Sequence, residues 1–135
     1  MEFSGRCYCG NVHYEASGDP VIKLQCHCRE CQYLSGGSVN VTIGMPAAGF
    51  KYTKGSAKQF TRSDLKSAVT REFCPDCGTQ LLTRAPHALP DVMLIKVGTM
   101  DDPNKFMPDI ALFTVEKQPF HHVPSGIKAF EGMPG

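Results

Sequence analysis

Val39, Val41, Ile43 and Met45 recur at every second position, the period of a strand with one buried face. The same alternation runs more briefly through Val12-His13-Tyr14-Glu15-Ala16, until Gly18-Asp19-Pro20 breaks it. Val21-Ile22-Lys23-Leu24 predicts another short strand. Past the turn at residues 46–49, Phe50-Lys51-Tyr52-Thr53 and Lys58-Gln59-Phe60-Thr61-Arg62 predict a hairpin. Val69-Thr70-Arg71-Glu72-Phe73 and Thr79-Gln80-Leu81-Leu82-Thr83 predict a second, with Cys74-Pro75-Asp76-Cys77-Gly78 at its tip. A proline-rich loop, Ala85-Pro86-His87-Ala88-Leu89-Pro90, leads to the apolar run Val92–Gly98, which reads as a central strand. Met100-Asp101-Asp102-Pro103 is a turn, residues 110–115 predict a late strand, and beyond Pro119 the pattern fades. Helical period never extends over ten residues. Only Gln32-Tyr33-Leu34, ended by Ser35-Gly36-Gly37, predicts a single helical turn. The fold class is therefore mostly β.

Composition narrows this further. A chain of 135 residues with 41% hydrophobics can bury one core, so residues 1–135 read as a single domain. A formal charge of +1 gives no large field, which disfavours nucleic acid or an anionic membrane as partner. The polar opening Met1–Arg6 is not a signal peptide, and no run approaches the ~18 apolar residues of a membrane span. A cytoplasmic location is expected. Seven cysteines, an odd number in such a chain, point to metal or catalysis before a disulfide framework.

Three of those thiols crowd into Gln25-Cys26-His27-Cys28-Arg29-Glu30-Cys31. In extended backbone Cys26 and Cys28 share a face while His27 points away, and Cys28 and Cys31 stand one helical turn apart. Three sulfurs then converge. A soft divalent ion such as zinc suits them better than a strained and incomplete disulfide pairing. With three local ligands a fourth position is open, the arrangement of catalytic zinc. Cys7-Tyr8-Cys9-Gly10 and Cys74-Pro75-Asp76-Cys77-Gly78 supply the other four thiols. Each pair precedes a glycine, as in a zinc knuckle, and two knuckles make a closed structural site. The expectation is two zinc ions per chain, one structural and one catalytic. A competing division joins Cys28 and Cys31 to Cys74 and Cys77 as a ribbon, but strands three cysteines and exceeds the usual ribbon separation of about 15–20 residues.

Gly5-Arg6-Cys7-Tyr8-Cys9-Gly10, then Cys26-His27-Cys28-Arg29-Glu30-Cys31, then Phe73-Cys74-Pro75-Asp76-Cys77-Gly78 resemble the motif series of the glutathione-dependent formaldehyde-activating enzymes, a family that also includes centromere protein V. The resemblance runs from Gly5 to about Pro134. It implies a β-tent of small antiparallel sheets held by zinc, with structural zinc at Cys7, Cys9, Cys74 and Cys77 and catalytic zinc at Cys26, Cys28 and Cys31. It also implies carbon-sulfur lyase chemistry, the formation of S-hydroxymethylglutathione from glutathione and formaldehyde. Where members often carry tryptophan after the last strand, this chain has Pro119-Phe120 and no tryptophan.

The expected partner is a small-molecule thiol such as glutathione. Its sulfur would ionise at the open position and add to a carbonyl carbon. The resulting negative charge calls for cations. Arg29, inside the motif, is the candidate for binding the thiol compound, with Lys23, Arg62 and Arg71 behind it. His27 is expected to support or pack, His121-His122 to lie on a surface or loop, His13 to sit in a strand, and Asp101-Asp102 to form a turn. Tyr33 and Ser35 follow the site closely enough to line it. The competing function is a zinc-stabilised β module that binds a protein and performs no chemistry.

Overall fold

The computed structural model describes residues 1–134, leaving out the side chain of Lys105. In chain order the strands are β1 (Glu2–Arg6), β2 (His13–Ser17) and β3 (Ile22–Cys26), followed by the helix α1 (Arg29–Leu34). Next come β4 (Asn40–Pro46), β5 (Phe50–Lys54), β6 (Lys58–Thr61), β7 (Thr70–Phe73), β8 (Gln80–Ala85) and β9 (Leu89–Lys96). The short β10 (Ile110–Leu112) and β11 (Lys128–Ala129) complete the set. They form a three-stranded sheet in the order β1-β2-β5 and an eight-stranded sheet in the order β11-β10-β3-β4-β9-β8-β7-β6. Pairing is antiparallel except where β10 runs parallel to β3 and β11. The mostly-β, antiparallel expectation holds. Among the described residues no helix is long and apolar enough to cross a membrane.

The two faces of the larger sheet do different things. Ile43 and Ile95 pair across β4 and β9, Leu82 pairs with Ile95 from β8, and all three are buried in the main core. That core is closed by the smaller sheet. Tyr14 stacks on Phe50 at 5.4 Å between ring centroids, and Phe50 meets Tyr52 edge-on at 5.1 Å. Alternation sends the intervening positions Thr42, Leu94, Lys96 and Thr83 to the opposite face, where they line a cavity. The period of two read from the sequence thus divides core from site.

Three elements depart from the sequence expectation. β1 carries no apolar pattern and is held by an unbroken antiparallel register with β2, from Glu2↔Ser17 to Arg6↔His13. Gly5 within it faces the Tyr14 ring so closely that a Cβ would fall 2.2 Å from the hydroxyl oxygen. The hairpin expected over residues 50–62 does not form. β5 joins β2 in the small sheet and β6 joins β7 in the large one. Between them Gly55, at φ 66, passes against the Asn11 carbonyl where a Cβ would stand at 2.2 Å, so the chain can leave one sheet for the other. β10 ends at Leu112, short of the expected strand, because Phe113 adopts the left-handed conformation at φ 56, ψ 41.

Two cysteine clusters and a cavity

All seven cysteines are free, and their sulfurs divide four plus three. Cys7, Cys9, Cys74 and Cys77 form one group and Cys26, Cys28 and Cys31 the other, the sulfurs of each lying within 4.8 Å of one another. The ribbon division is not what the fold brings together.

The four-cysteine group joins the loop after β1 to the tip of the β7–β8 hairpin. Four sulfurs at ~2.3 Å from a common ion stand about 3.8 Å apart. The observed separations are 3.6 Å for Cys7 to Cys9 and 3.8 Å for Cys9 to Cys74. The donor set therefore fits a tetrahedral thiolate metal. Gly10 (φ 81) and Gly78 (φ 78) take the left-handed turns the knuckles need, and donate to the carbonyls of Cys7 and Cys74. Val12 aims its N–H at the Cys7 sulfur, at 3.3 Å, and Asp76 at the Cys74 sulfur, at 3.4 Å. Thr79 lies 3.2 Å from the Cys77 sulfur, and its hydroxyl and N–H bring that thiol down to about 5. His13 Nε2 lies 2.9 Å from the Gly10 carbonyl and steadies the first knuckle.

The three-cysteine group is local. Cys26 ends β3, Cys28 caps α1 by accepting the Cys31 N–H at 3.3 Å, and Cys31 lies in the first turn of α1. Cys26 and Cys31 are buried and Cys28 is half-buried. Thiol hydrogen bonds from Cys26 and Cys28 hold Cys31 far down, while Cys28 and Cys31 push Cys26 up. Asn40 adds its side-chain N–H to Cys31 at 3.4 Å. Three converging thiols suit a soft metal ion. Among the described residues no fourth donor joins them.

These sulfurs border a cavity of about 540 Å3, walled largely by Ile22, Leu24, Leu94, Leu112 and Phe113. Three cations reach it. Arg71 is buried and committed, donating to Glu30 at 2.9 Å and Thr83 at 3.1 Å. Arg29 is exposed, bonded to Gln32 and seated 5.1 Å from the Tyr33 ring centroid. Lys96 is buried and has no carboxylate partner among the described residues. Burial drives its ammonium down to about 8, against the pull of the Cys31, Cys26 and Cys28 charges.

Of the other expected cations, Lys23 pairs with Asp109 and Arg62 with Asp64, and neither lines the cavity. Tyr33 is exposed and lines a smaller neighbouring pocket, while Ser35 ends α1 by donating to the Cys31 and Ser38 carbonyls. Phe120 is exposed, edge-on to His121 and away from the cavity. Asp102 caps the short helical turn that follows it, and Asp101 accepts from Ser4.

His27 faces away from the sulfurs, as expected. It is fully buried, 2.8 Å from Gln25 and 3.2 Å from His121. His121 and His122 lie in a loop, as expected, and His122 is exposed, but His121 is buried, with Nε2 2.7 Å from the Gly37 carbonyl and Nδ1 accepting the Gln118 N–H at 3.1 Å. It anchors the segment after β10 beneath the cysteine loop. From that segment Glu116 accepts the Arg29 N–H at 3.0 Å, capping α1, and buried Gln32 donates to the carbonyls of His27 and Glu116. Sequence reasoning missed Lys96, Asn40 and Glu116. Only Lys96 left a signal, as a lone charge inside the apolar run 92–98.

A sequence model described as glutathione-dependent formaldehyde-activating enzyme matches residues 2–116. A search of curated proteins finds no match. Among solved structures, the crystal structure of a Rhodobacter sphaeroides protein aligns with a TM-score of 0.61 at 16% identity, covering 76% of this chain and 91% of that one. At that identity the likeness is one of fold.

Proposed function

This chain belongs to the glutathione-dependent formaldehyde-activating enzyme family, and from that membership we propose that it is a zinc-dependent carbon-sulfur lyase acting on small thiol adducts. The reaction joins a thiol to an aldehyde. The sulfur-carbon bond forms, the carbonyl π bond opens, and the thiol proton ends on the new hydroxyl; the lyase direction reverses these changes. One observation carries the reading: three converging sulfurs with no fourth donor among the described residues stand at the edge of a cavity large enough for a substrate.

Cys26, Cys28 and Cys31 would hold the catalytic zinc, and Cys7, Cys9, Cys74 and Cys77 a structural one. Bound at the three-cysteine site, zinc would lower the pKa of a thiol in its remaining position. The chain's own groups do the rest. Lys96 sets a positive charge against the thiolates, so that a further anionic sulfur can approach. Asn40 steadies Cys31 by its N–H. Glu116 and Gln32 fix the turn that aims the sulfurs, and the Leu24, Leu94 and Leu112 walls exclude water from the addition. Arg29, at the rim, is placed to meet a carboxylate of glutathione.

The test is an assay of glutathione-formaldehyde condensation against its uncatalysed background. Acceleration that disappears in Cys28→Ser supports the reading. A folded, zinc-loaded protein giving no acceleration with any thiol and aldehyde leaves the non-catalytic β module in its place.

A further inference from the structure

The cavity is mismatched to formaldehyde. One water occupies ~30 Å3 of liquid, and formaldehyde is on the order of one to two waters in size. The cavity holds about 540 Å3, so formaldehyde would leave most of it filled with water against hydrocarbon. Glutathione is equally mismatched to the interior, because it carries two carboxylates, an ammonium and two amides. Among the described residues the interior offers Lys96 as its single buried cation without a carboxylate partner, since Arg71 is already bonded to Glu30 and Thr83.

Two details locate where a polar head must sit. Thr42 is buried on the cavity wall, and its hydroxyl has no hydrogen-bond partner among the described residues. It shares that wall with Asn40, the donor to Cys31, and with Lys96, which pairs with Thr42 across β4 and β9. These polar groups gather on one wall, while Ile22, Leu24, Leu94, Leu112 and Phe113 supply a mainly apolar lining whose other buried polar members, Arg71 and Thr83, are already bonded to each other. Phe113 holds its place in a left-handed conformation, unfavourable for a bulky side chain and found mostly where function or packing demands it.

We infer that the aldehyde-derived part of the adduct is an extended apolar chain or ring of about six carbons or more, seated along the hydrophobic wall with its reacting oxygen toward Thr42 and Lys96 at the sulfur end. The thiol partner's charged groups then remain at the rim. This rests on the thiol-adduct reading above and replaces formaldehyde with a larger apolar aldehyde as the preferred carbonyl partner.

The test uses the zinc-loaded full chain and two readouts. Calorimetry compares S-methylglutathione with S-hexylglutathione, stable analogues that need no turnover. At about threefold to fourfold per buried methylene, the hexyl compound is expected to bind at least 100-fold more tightly. Rate acceleration over background is measured in parallel for glutathione with formaldehyde, butanal and hexanal, and is expected to rise along the series. Leu94→Asn should flatten both trends, and the wild-type series stands alone if that variant fails to fold. Tight hexyl binding without acceleration of any aldehyde supports the apolar seat and overturns the lyase reading. Acceleration greatest with formaldehyde, together with equal binding of the two analogues, overturns the inference and leaves the lyase reading intact. Failure of both analogues to bind also overturns it.

Discussion

The two cysteine clusters use the same side chain for opposite ends. The four-sulfur cluster draws on positions far apart in the chain, so a metal there closes a long loop and staples the amino-terminal strand to the β7–β8 hairpin. Cys9 and Cys77 are exposed, and nothing about the site needs a ligand. The three-sulfur cluster draws on neighbouring residues whose positions are already fixed by β3, the α1 cap and the Glu116 contact. A metal there closes no long loop, yet it borders a cavity with a buried lysine. On the proposed reading, long-range ligands would give closure, and local ligands on a rigid turn would give a reactive position. Metal identity alone would not separate the two.

The largest expected effect follows from breaking closure. Structural zinc contributes on the order of 10 kcal/mol to small domains, which is comparable with the whole ~5–15 kcal/mol of a typical fold. Cys77→Ser should therefore lose cooperative unfolding, seen as the absence of a calorimetric transition. Cys28→Ser sharpens the contrast. It should retain a cooperative transition, bind one fewer zinc, and lose at least ~100-fold in adduct-forming activity, the scale of removing a key electrostatic group.

A smaller effect tests the counter-charge. Lys96→Met should keep both metals and cost up to about 3–5 kcal/mol of stability, because removing one partner of a buried charge set leaves the thiolates less compensated. Its activity should fall roughly 10- to 100-fold, and Lys96→Arg should recover part of it. Equal metal loss in Lys96→Met would instead make the lysine a structural counter-ion.

Glu72, two residues before Cys74 but ligand to neither proposed metal, supplies a control of another kind. Burial pushes its carboxyl up, but hydrogen bonds from Tyr52 (2.5 Å), Arg84 and Gln59 (2.9 Å) outweigh it and leave the pKa below the ordinary 4.5. The folded state then binds fewer protons than the unfolded one below that value. The stabilisation is complete above pH 4.5 and is lost as pH falls through the folded pKa. Glu72→Gln should cost roughly 1–3 kcal/mol at neutral pH by leaving buried partners unmatched. It should also reduce the acid dependence of the unfolding midpoint, with zinc content unchanged.

Much of this was legible in the residues. The period-two run at Val39–Met45 and the apolar run at residues 92–98 became the adjacent central strands β4 and β9, because burial of alternate positions leaves little freedom of register. The sulfur groups were legible because C-x-C and C-x-x-C spacings fix local geometry whatever surrounds them. What stayed hidden depends on distant contacts. β1 is polar and exists through its pairing with β2. His121 is buried because Gly37 and His27 wait for it, and Phe60 looks like half of a hairpin yet lies on the fully exposed strand β6, which pairs with β7. Lys96 shows both limits: its charge stands out in an apolar strand, but only the fold places it beside three sulfurs from another part of the chain.

The most direct test of the division between closure and chemistry is zinc stoichiometry, measured by atomic emission on protein purified anaerobically from zinc-replete medium, for wild type and Cys28→Ser side by side with their unfolding transitions. The account predicts two zinc ions for the wild type and one for the variant, with the variant still unfolding cooperatively. One zinc in both proteins, or a variant as disordered as Cys77→Ser, would contradict it.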